Sequence, residues 1–315
     1  MKLCTFTEGG RRRLGLFAGD LVIDLFAADA REDFVTMTSF IRGGAAAISA
    51  AAEIARAPAA GACRSAGNVR LAAPIMPSTV LCAGSNYHAH NAEKANAPLS
   101  GKEPEFFVKT SDCVVGPNEG IVHDPVLTGK MDCETELAIV IGREGRHIPA
   151  ETALSHVFGY TVANDVTARD RQVRRTESGV VFYELGRGKA FDTSLPLGPV
   201  ITTTDEIPDP QTLRLTTRIN GELRQSANTS DMIWTCADLI HFFSVNFTLK
   251  PGMVILTGTP AGTAWSVDEE LGGNWQPAEG LVAATRYCLP GDEVVSDVEG
   301  IGALRNAVVA SDASR

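Results

Sequence analysis

The chain is short of positive charge: 28 Lys and Arg stand against 38 Asp and Glu, for a formal net charge of −10. That deficit argues against nucleic acid or an anionic membrane as the main partner, and any anionic ligand must be drawn in by a local cluster of metal, Arg or Lys. Paired cysteines are also missing. The seven cysteines, at 4, 63, 82, 113, 133, 236 and 288, form no C-x-x-C pair and an odd total. They read as reduced thiols of the cytoplasm rather than a disulfide framework, with Cys133 and Cys236 as small apolar fillers. No basic-then-apolar signal opens the sequence, no hydrophobic run reaches the length of a membrane span, and no internal repeat recurs.

What is there is an ordinary globular composition, 44% apolar and 21% charged over 315 residues, enough for a large core and more than one domain. Residues 1–25 alternate short β-like runs with Gly-containing turns and predict two or three strands, followed by an Ala-rich helix over 33–56 that ends before Pro58. Pro74 and Pro77 resist regular structure and mark a join. The expected organisation is a small N-terminal α+β domain over 1–72, a larger domain over 73–310 and a tail at 311–315. Short β runs dominate the larger domain: "STVLCAG", "EFFVKT", "TELAIVIG", "FGYTVAND", "LRLTTRING" and "GMVILTG". Helical patterns are fewer, chiefly "TALSHVF" and "CADLIHFFSVNF", so the fold class is mostly β with some α.

One run is chemically odd. In "MDCETELAIVIG", Asp132, Glu134 and Glu136 occupy every second position before an aliphatic stretch. Side chains at i, i+2 and i+4 of a strand share a face, so the three carboxylates converge. Either this is the wet, charged face of an edge strand or it is a functional site. A second acid, Asp165 in "GYTVANDVTARDRQ", ends another probable strand 29 residues after Glu136, a distance that suits a strand, a helix and a return strand. Glu134, Glu136 and Asp165 together make an oxygen-only ligand set of the kind that suits Mg²⁺, Mn²⁺ or Ca²⁺. A bound cation would also offset the cost of carboxylates in apolar surroundings. Taken alone, Asp165 could equally be a helix N-cap.

"DCETELAIVIG", "GYTVANDVTARDRQ", "GKAFDTSLPLGP", "LTGTPAG" and "GDEVVSDVEGIGALRN" follow one another in the order found in the fumarylacetoacetate hydrolase family, which the chain resembles from about 73 to 308. "GSNYHAHNAE" is similar to that family's N-Y-x-x-H-x-x-E lid segment. The resemblance implies a β-roll or sandwich catalytic domain, Glu134, Glu136 and Asp165 as metal ligands, and Asp132 as an acid supporting them or the structure. It further implies Arg169 and Gln172 as holders of substrate oxygens, Lys189 as the active-site lysine and Thr259 as a ligand contact on a tight Gly-Pro turn. An ordinary surface Arg and a plain β-turn are the competing readings for Arg169 and Thr259. His90 and Glu93 are the acid/base candidates, since a spacing of three places both on one helical face, while His88 points elsewhere. A merely solvated histidine is the alternative. Neighbouring cations are expected to lower the pKa of Lys189.

The implied chemistry is metal-dependent hydrolysis of a carbon–carbon bond in an acylpyruvate-type, 2,4-dioxo acid substrate within a catabolic route. A decarboxylase, hydratase or tautomerase of a 2-oxo acid on the same scaffold is the alternative, and a metal-binding protein without turnover comes third. The expected partners are a small 2-oxo carboxylate and a second copy of the chain, since family members are usually homodimers. The stretch "TAWSVDEELGGNWQPAEGLVAATRY" is longer than the short return many members show. It is expected to line the pocket with Trp265 or Trp275, or to make a dimer contact. "NAEKANAPLSGKEPE" has the small, polar composition of a mobile lid.

Overall fold

The computed structural model describes residues 1–93 and 102–311. The expected lid over 91–105 and the tail at 311–315 lie largely outside them. Strands outweigh helices, as the β-rich reading requires. The main sheet runs in the order Cys63–Ser65, Leu21–Asp24, Arg11–Ala18, Lys2–Glu8, Leu195–Thr203, Val157–Asn164, Thr135–Ile141, Val254–Leu256, Val80–Gly84 and Glu105–Lys109. The N-terminal strands thus continue the central sheet, through Leu3 paired with Ile201. The proposed boundary at residue 72 falls between the strands Arg70–Ala72 and Val80–Gly84. A second, five-stranded sheet is ordered Glu222–Asn228, Arg214–Ile219, Glu293–Val298, Gly302–Ala310 and Ile121–His123.

The strand Thr135–Ile141 is buried at every position because both its faces are covered. Period-two alternation sorts its side chains. Leu137, Ile139 and Ile141 pack with Leu239, Ile240 and Phe243 of the helix Cys236–Asn246 and with Leu215, Val298 and Leu304 of the second sheet. Ala138 and Val140 face the other way, toward Phe40 and Ile41 of the helix Met37–Arg56, which is broken at Gly44 where φ is +54°. Thr235 caps the Cys236–Asn246 helix in a reciprocal box with Asp238, which fixes its start. Of the two helical patterns expected in the larger domain, "TALSHVF" forms only the short turns Ala150–Ala153 and Leu154–His156 before the chain returns as a strand.

That return places the two acidic segments side by side. Thr135 pairs with Asn164 and Glu136 with Ala163, in antiparallel register, so Asp165 emerges beside Glu134. The acidic run is not one continuous strand. Met131–Asp132 pairs with Thr167–Ala168, and regular structure resumes only at Thr135. In the break, the Glu134 N–H donates to Asn164 Oδ1 at 2.9 Å and the Asp165 N–H donates to the Glu134 carbonyl at 2.8 Å.

Candidate metal and catalytic site

Asp132, Glu134, Glu136 and Asp165 are all at most 3% exposed, so the wet edge-strand reading does not hold. Glu134, Glu136 and Asp165 each offer a carboxylate oxygen, and these three atoms lie within 4.8 Å of one another. Two observations test the fit of a divalent ion to this set. Asp165 Oδ1 is buried without a hydrogen-bond donor, although Lys109 Nζ makes an ion pair with it at 2.8 Å. Glu136 has no cationic partner among the described residues. Its Oε2 accepts from the Gly258 N–H at 2.6 Å, while burial and the charges of Asp165 and Glu134 push its carboxyl well above the usual range. An oxygen without a hydrogen-bond donor and a carboxyl without a direct ion pair, facing two more acids, fit a hard divalent cation such as Mg²⁺ or Mn²⁺, with Ca²⁺ chemically similar.

Two buried cations meet these acids directly. Lys189, the last residue of the short helix Leu185–Lys189, bridges Glu134 Oε2 and, at 2.6 Å, Asp165 Oδ2. Burial opposes its charge, but the carboxylates of Asp165 and Glu134 outweigh that, and its pKa is raised. The expected lowering is therefore corrected: the lysine is held protonated by two acids. Glu134 pays the same burial cost, yet Arg169, Lys189 and His90 hold its carboxyl well below the ordinary value. Arg169 is among the largest fully buried side chains, which removes the surface reading. Its Nε donates to Asp132 Oδ2 at 2.8 Å, one terminal nitrogen to Gln172 Oε1 at 2.9 Å, and the other to Glu134. Asp132 thereby gains a definite part, since it also accepts the Ala264 and Trp265 N–H groups at 2.9 and 3.1 Å. Of the two tryptophans expected in the long return, Trp265 meets the site, with the Arg169 guanidinium 4.9 Å from its ring centroid.

His90 and Glu93 come together as their spacing predicts. His90 lies in the five-residue helix His88–Ala92, Glu93 follows as its cap, and Nδ1 stands 2.6 Å from Glu93 Oε2. Both are buried, whereas His88 is exposed. The Gly258–Gly262 turn serves both halves of the site, because the Gly262 N–H donates to Glu93 Oε1 as the Gly258 N–H does to Glu136. Thr259 sits on this turn, but its hydroxyl donates to the Thr135 carbonyl at 3.0 Å and accepts from Gln225 Nε2 at 2.9 Å. Its proton is used within the protein.

Sequence reasoning missed Lys109, which is fully buried beside Asp165. In "EFFVKT" strand alternation puts Lys109 on the face of Phe107, the face the fold buries, and not on that of the exposed Phe106 and Val108.

The family model for the fumarylacetoacetate hydrolase C-terminal domain matches residues 79–309, and the chain belongs to the fumarylacetoacetate hydrolase family. It is 40% identical over 275 residues to human oxaloacetate tautomerase FAHD2A, mitochondrial, covering 87% of this chain and 80% of that one. Among solved structures, a fumarylacetoacetate hydrolase from Exiguobacterium antarcticum superposes with a TM-score of 0.77 at 34% identity, covering 99% of this chain and 100% of the other. Maleylpyruvate hydrolase from Sphingobium sp. SYK-6, in complex with manganese(II) and pyruvate, gives 0.74 at 29% identity, again over 99% of this chain and 100% of that one. The family's enzymes thus include hydrolases and tautomerases.

Proposed function

We propose that this protein is a Mg²⁺- or Mn²⁺-dependent tautomerase that interconverts the enol and keto forms of a small 2-oxo acid of the oxaloacetate class. The observation that carries the reading is the buried His90–Glu93 dyad, tied to Glu136 of the acid cluster through the Gly258–Gly262 turn. The 40% identity to an oxaloacetate tautomerase supports it. Glu134, Glu136 and Asp165 would hold the ion, which when bound supplies Lewis-acid polarisation of the 2-oxo group. Arg169, Gln172 and the backbone of Thr259 hold the substrate's oxygens. Glu93 accepts a hydrogen bond from the Nδ1–H of His90, which leaves Nε2 free to carry the moving proton. In the enol-to-keto direction His90 Nε2 takes the proton of the enol hydroxyl, leaving an enolate, and then delivers it to carbon 3, where the former double-bond pair becomes the new C–H bond. Lys189 holds the oxygen's negative charge between the two proton transfers.

Hydrolysis of an acylpyruvate is the second reading, favoured by the likeness to a hydrolase holding manganese and pyruvate. There His90 takes a proton from water, the hydroxide attacks the remote carbonyl, and the bond beside the 2-oxo acid breaks to leave pyruvate enolate near Lys189. Decarboxylation or hydration would use the same groups.

Incubation with enol-oxaloacetate, acylpyruvates and 2-hydroxydienoates separates these outcomes. Enol decay is expected to accelerate by about 10³-fold or more over buffer, with acylpyruvate cleavage slower by roughly 100-fold. Preferred cleavage of acylpyruvates would make the hydrolase reading the right one, and inertness toward every substrate would leave a binding protein. His90→Ala is expected to lose about 10²-fold in kcat while inhibition by a non-reacting 2-oxo acid stays within about threefold. Equal loss of both would make the His88–Ala92 segment a binding lid instead.

We also propose a homodimer in the cytoplasm. Among the described residues the edge strand Glu105–Lys109 pairs only with Val80–Gly84, and it exposes Phe106 and Val108 beside Phe242 and Phe247. A single-chain mass in solution would remove the dimer. All seven cysteines are free, in keeping with a reducing compartment, and no helix among the described residues is long and apolar enough to cross a membrane. Recovery of the protein from another compartment on cell fractionation would overturn that placement.

A further inference from the structure

We infer that Lys109 is a positioning residue of the active site, one that sets Lys189 and Asp165 in their working arrangement without touching substrate; this rests on the proposed roles of those two residues. Lys109 ends the strand Glu105–Lys109, is fully buried and turns its ammonium on acceptors of the protein itself. Its ammonium donates to the Ser194 carbonyl at 2.8 Å, to Ser194 Oγ at 3.0 Å, to the Val166 carbonyl at 3.4 Å and to the main-chain carbonyl of Lys189. An ammonium has three protons, and these acceptors take them all, leaving none for acid catalysis. Asp165 Oδ1, at 2.8 Å, makes an ion pair with it and no hydrogen bond.

The same strand grips Lys189 at both ends. Lys109 holds its carbonyl, and the Phe107 ring centroid lies 5.3 Å from its Nζ. Ser194 Oγ adds a second bond to the Lys189 carbonyl at 2.9 Å. The Lys189 side chain therefore leaves from a main chain pinned by Lys109 and Ser194, and its head lands between Glu134 and Asp165.

Positioning and simple structural support differ in the sign of one effect. Removing the Lys109 charge leaves the acid cluster more negative, so a positioning role predicts that a divalent ion binds at least as tightly while turnover falls. A purely structural role predicts that ion binding and turnover fall together.

The test measures Mn²⁺ binding by calorimetry and steady-state kinetics on Lys109→Met and Ser194→Ala, with whichever 2-oxo acid the wild-type protein turns over best. For Lys109→Met the expected result is a Mn²⁺ Kd equal to or about threefold below wild type, a kcat lower by roughly 10- to 100-fold and a KM changed by less than about threefold. Ser194→Ala, a small change that keeps the charge, is expected to lower kcat by about fivefold at unchanged Mn²⁺ affinity, and it decides the matter should Lys109→Met fail to fold. Unchanged kcat in the variants that fold, or parallel loss of Mn²⁺ affinity and turnover, overturns the inference. A wild-type protein that cleaves acylpyruvates instead of tautomerising enols overturns the functional proposal alone, since the variant-to-wild-type ratios are still read on the better substrate. A wild-type protein that turns over neither removes both.

Discussion

Glu136→Ala is expected to abolish turnover, by about 10³-fold or more, and to bring the protein to the level of the chelator-treated wild type. The same variant is expected to lose calorimetric Mn²⁺ binding yet keep its thermal midpoint within a few degrees. The reason lies in its neighbours: Glu136 faces Glu134 and Asp165, and the one nearby cation, Lys189, keeps its own bonds to those two acids, so removing Glu136 strands no cation. Glu134→Ala provides the contrast. It strips one carboxylate from both Arg169 and Lys189, each buried, and is expected to cost about 3 kcal/mol or more of stability along with activity. Restoration of wild-type activity in the treated protein by Mg²⁺ or Mn²⁺ completes the test. Full turnover in the presence of excess chelator would remove the metal from the mechanism.

Lys189→Met should cost about 3 kcal/mol in transition-state stabilisation, roughly 10²-fold in rate, the scale of losing one oxyanion donor. The ammonium already lies between two carboxylates, so it is charged before substrate arrives and adds most when negative charge grows on the substrate oxygen. Ground-state binding of pyruvate should weaken by less than about threefold. Because slow product release can hide a chemical defect, single-turnover rates are the quantity to compare with the pyruvate inhibition constant. Parallel loss of both would assign Lys189 to the substrate carboxylate, and a normal single-turnover rate would remove it from the chemistry.

The acid cluster was legible because strand alternation is a local rule. Once Glu134, Glu136 and Asp165 sit at the ends of two antiparallel neighbours, the register Glu136 to Ala163 brings them together. His90 and Glu93 were legible for the same kind of reason, three residues apart on one turn of helix. What was not legible depends on contacts between segments far apart in sequence. The break at Cys133 and Glu134 is set by the Asn164 side chain 30 residues away. Asp132 was left as a general supporting acid because its partners, Arg169 and the Ala264 and Trp265 N–H groups, come from two other segments. The direction of the Lys189 pKa was misread because cations were counted along the motif, whereas the carboxylates of Asp165 and Glu134 are nearer in space. Lys109 escaped because a single lysine in a β run is ordinarily solvated, and only the fold turns that face inward.

The Gly258–Gly262 turn also limits how this site can be altered. Gly262 has φ of +109°, and a Cβ there would lie 2.0 Å from the Arg224 carbonyl oxygen; at Gly258, with φ of +92°, it would meet the Asn86 side chain at 2.7 Å. Neither position accepts a side chain, so the turn cannot be reshaped to admit a different substrate without dislodging Glu93 or Glu136. The stretch that follows has more latitude. Outside the sheets, it is tied down by Asp268, which accepts from Lys130 at 2.8 Å and from the Tyr287 hydroxyl at 2.6 Å, and its Trp265 lies over Arg169. Redesign of substrate size therefore belongs in the side chains of that loop, whose Ala264 and Trp265 N–H groups must stay in place to hold Asp132.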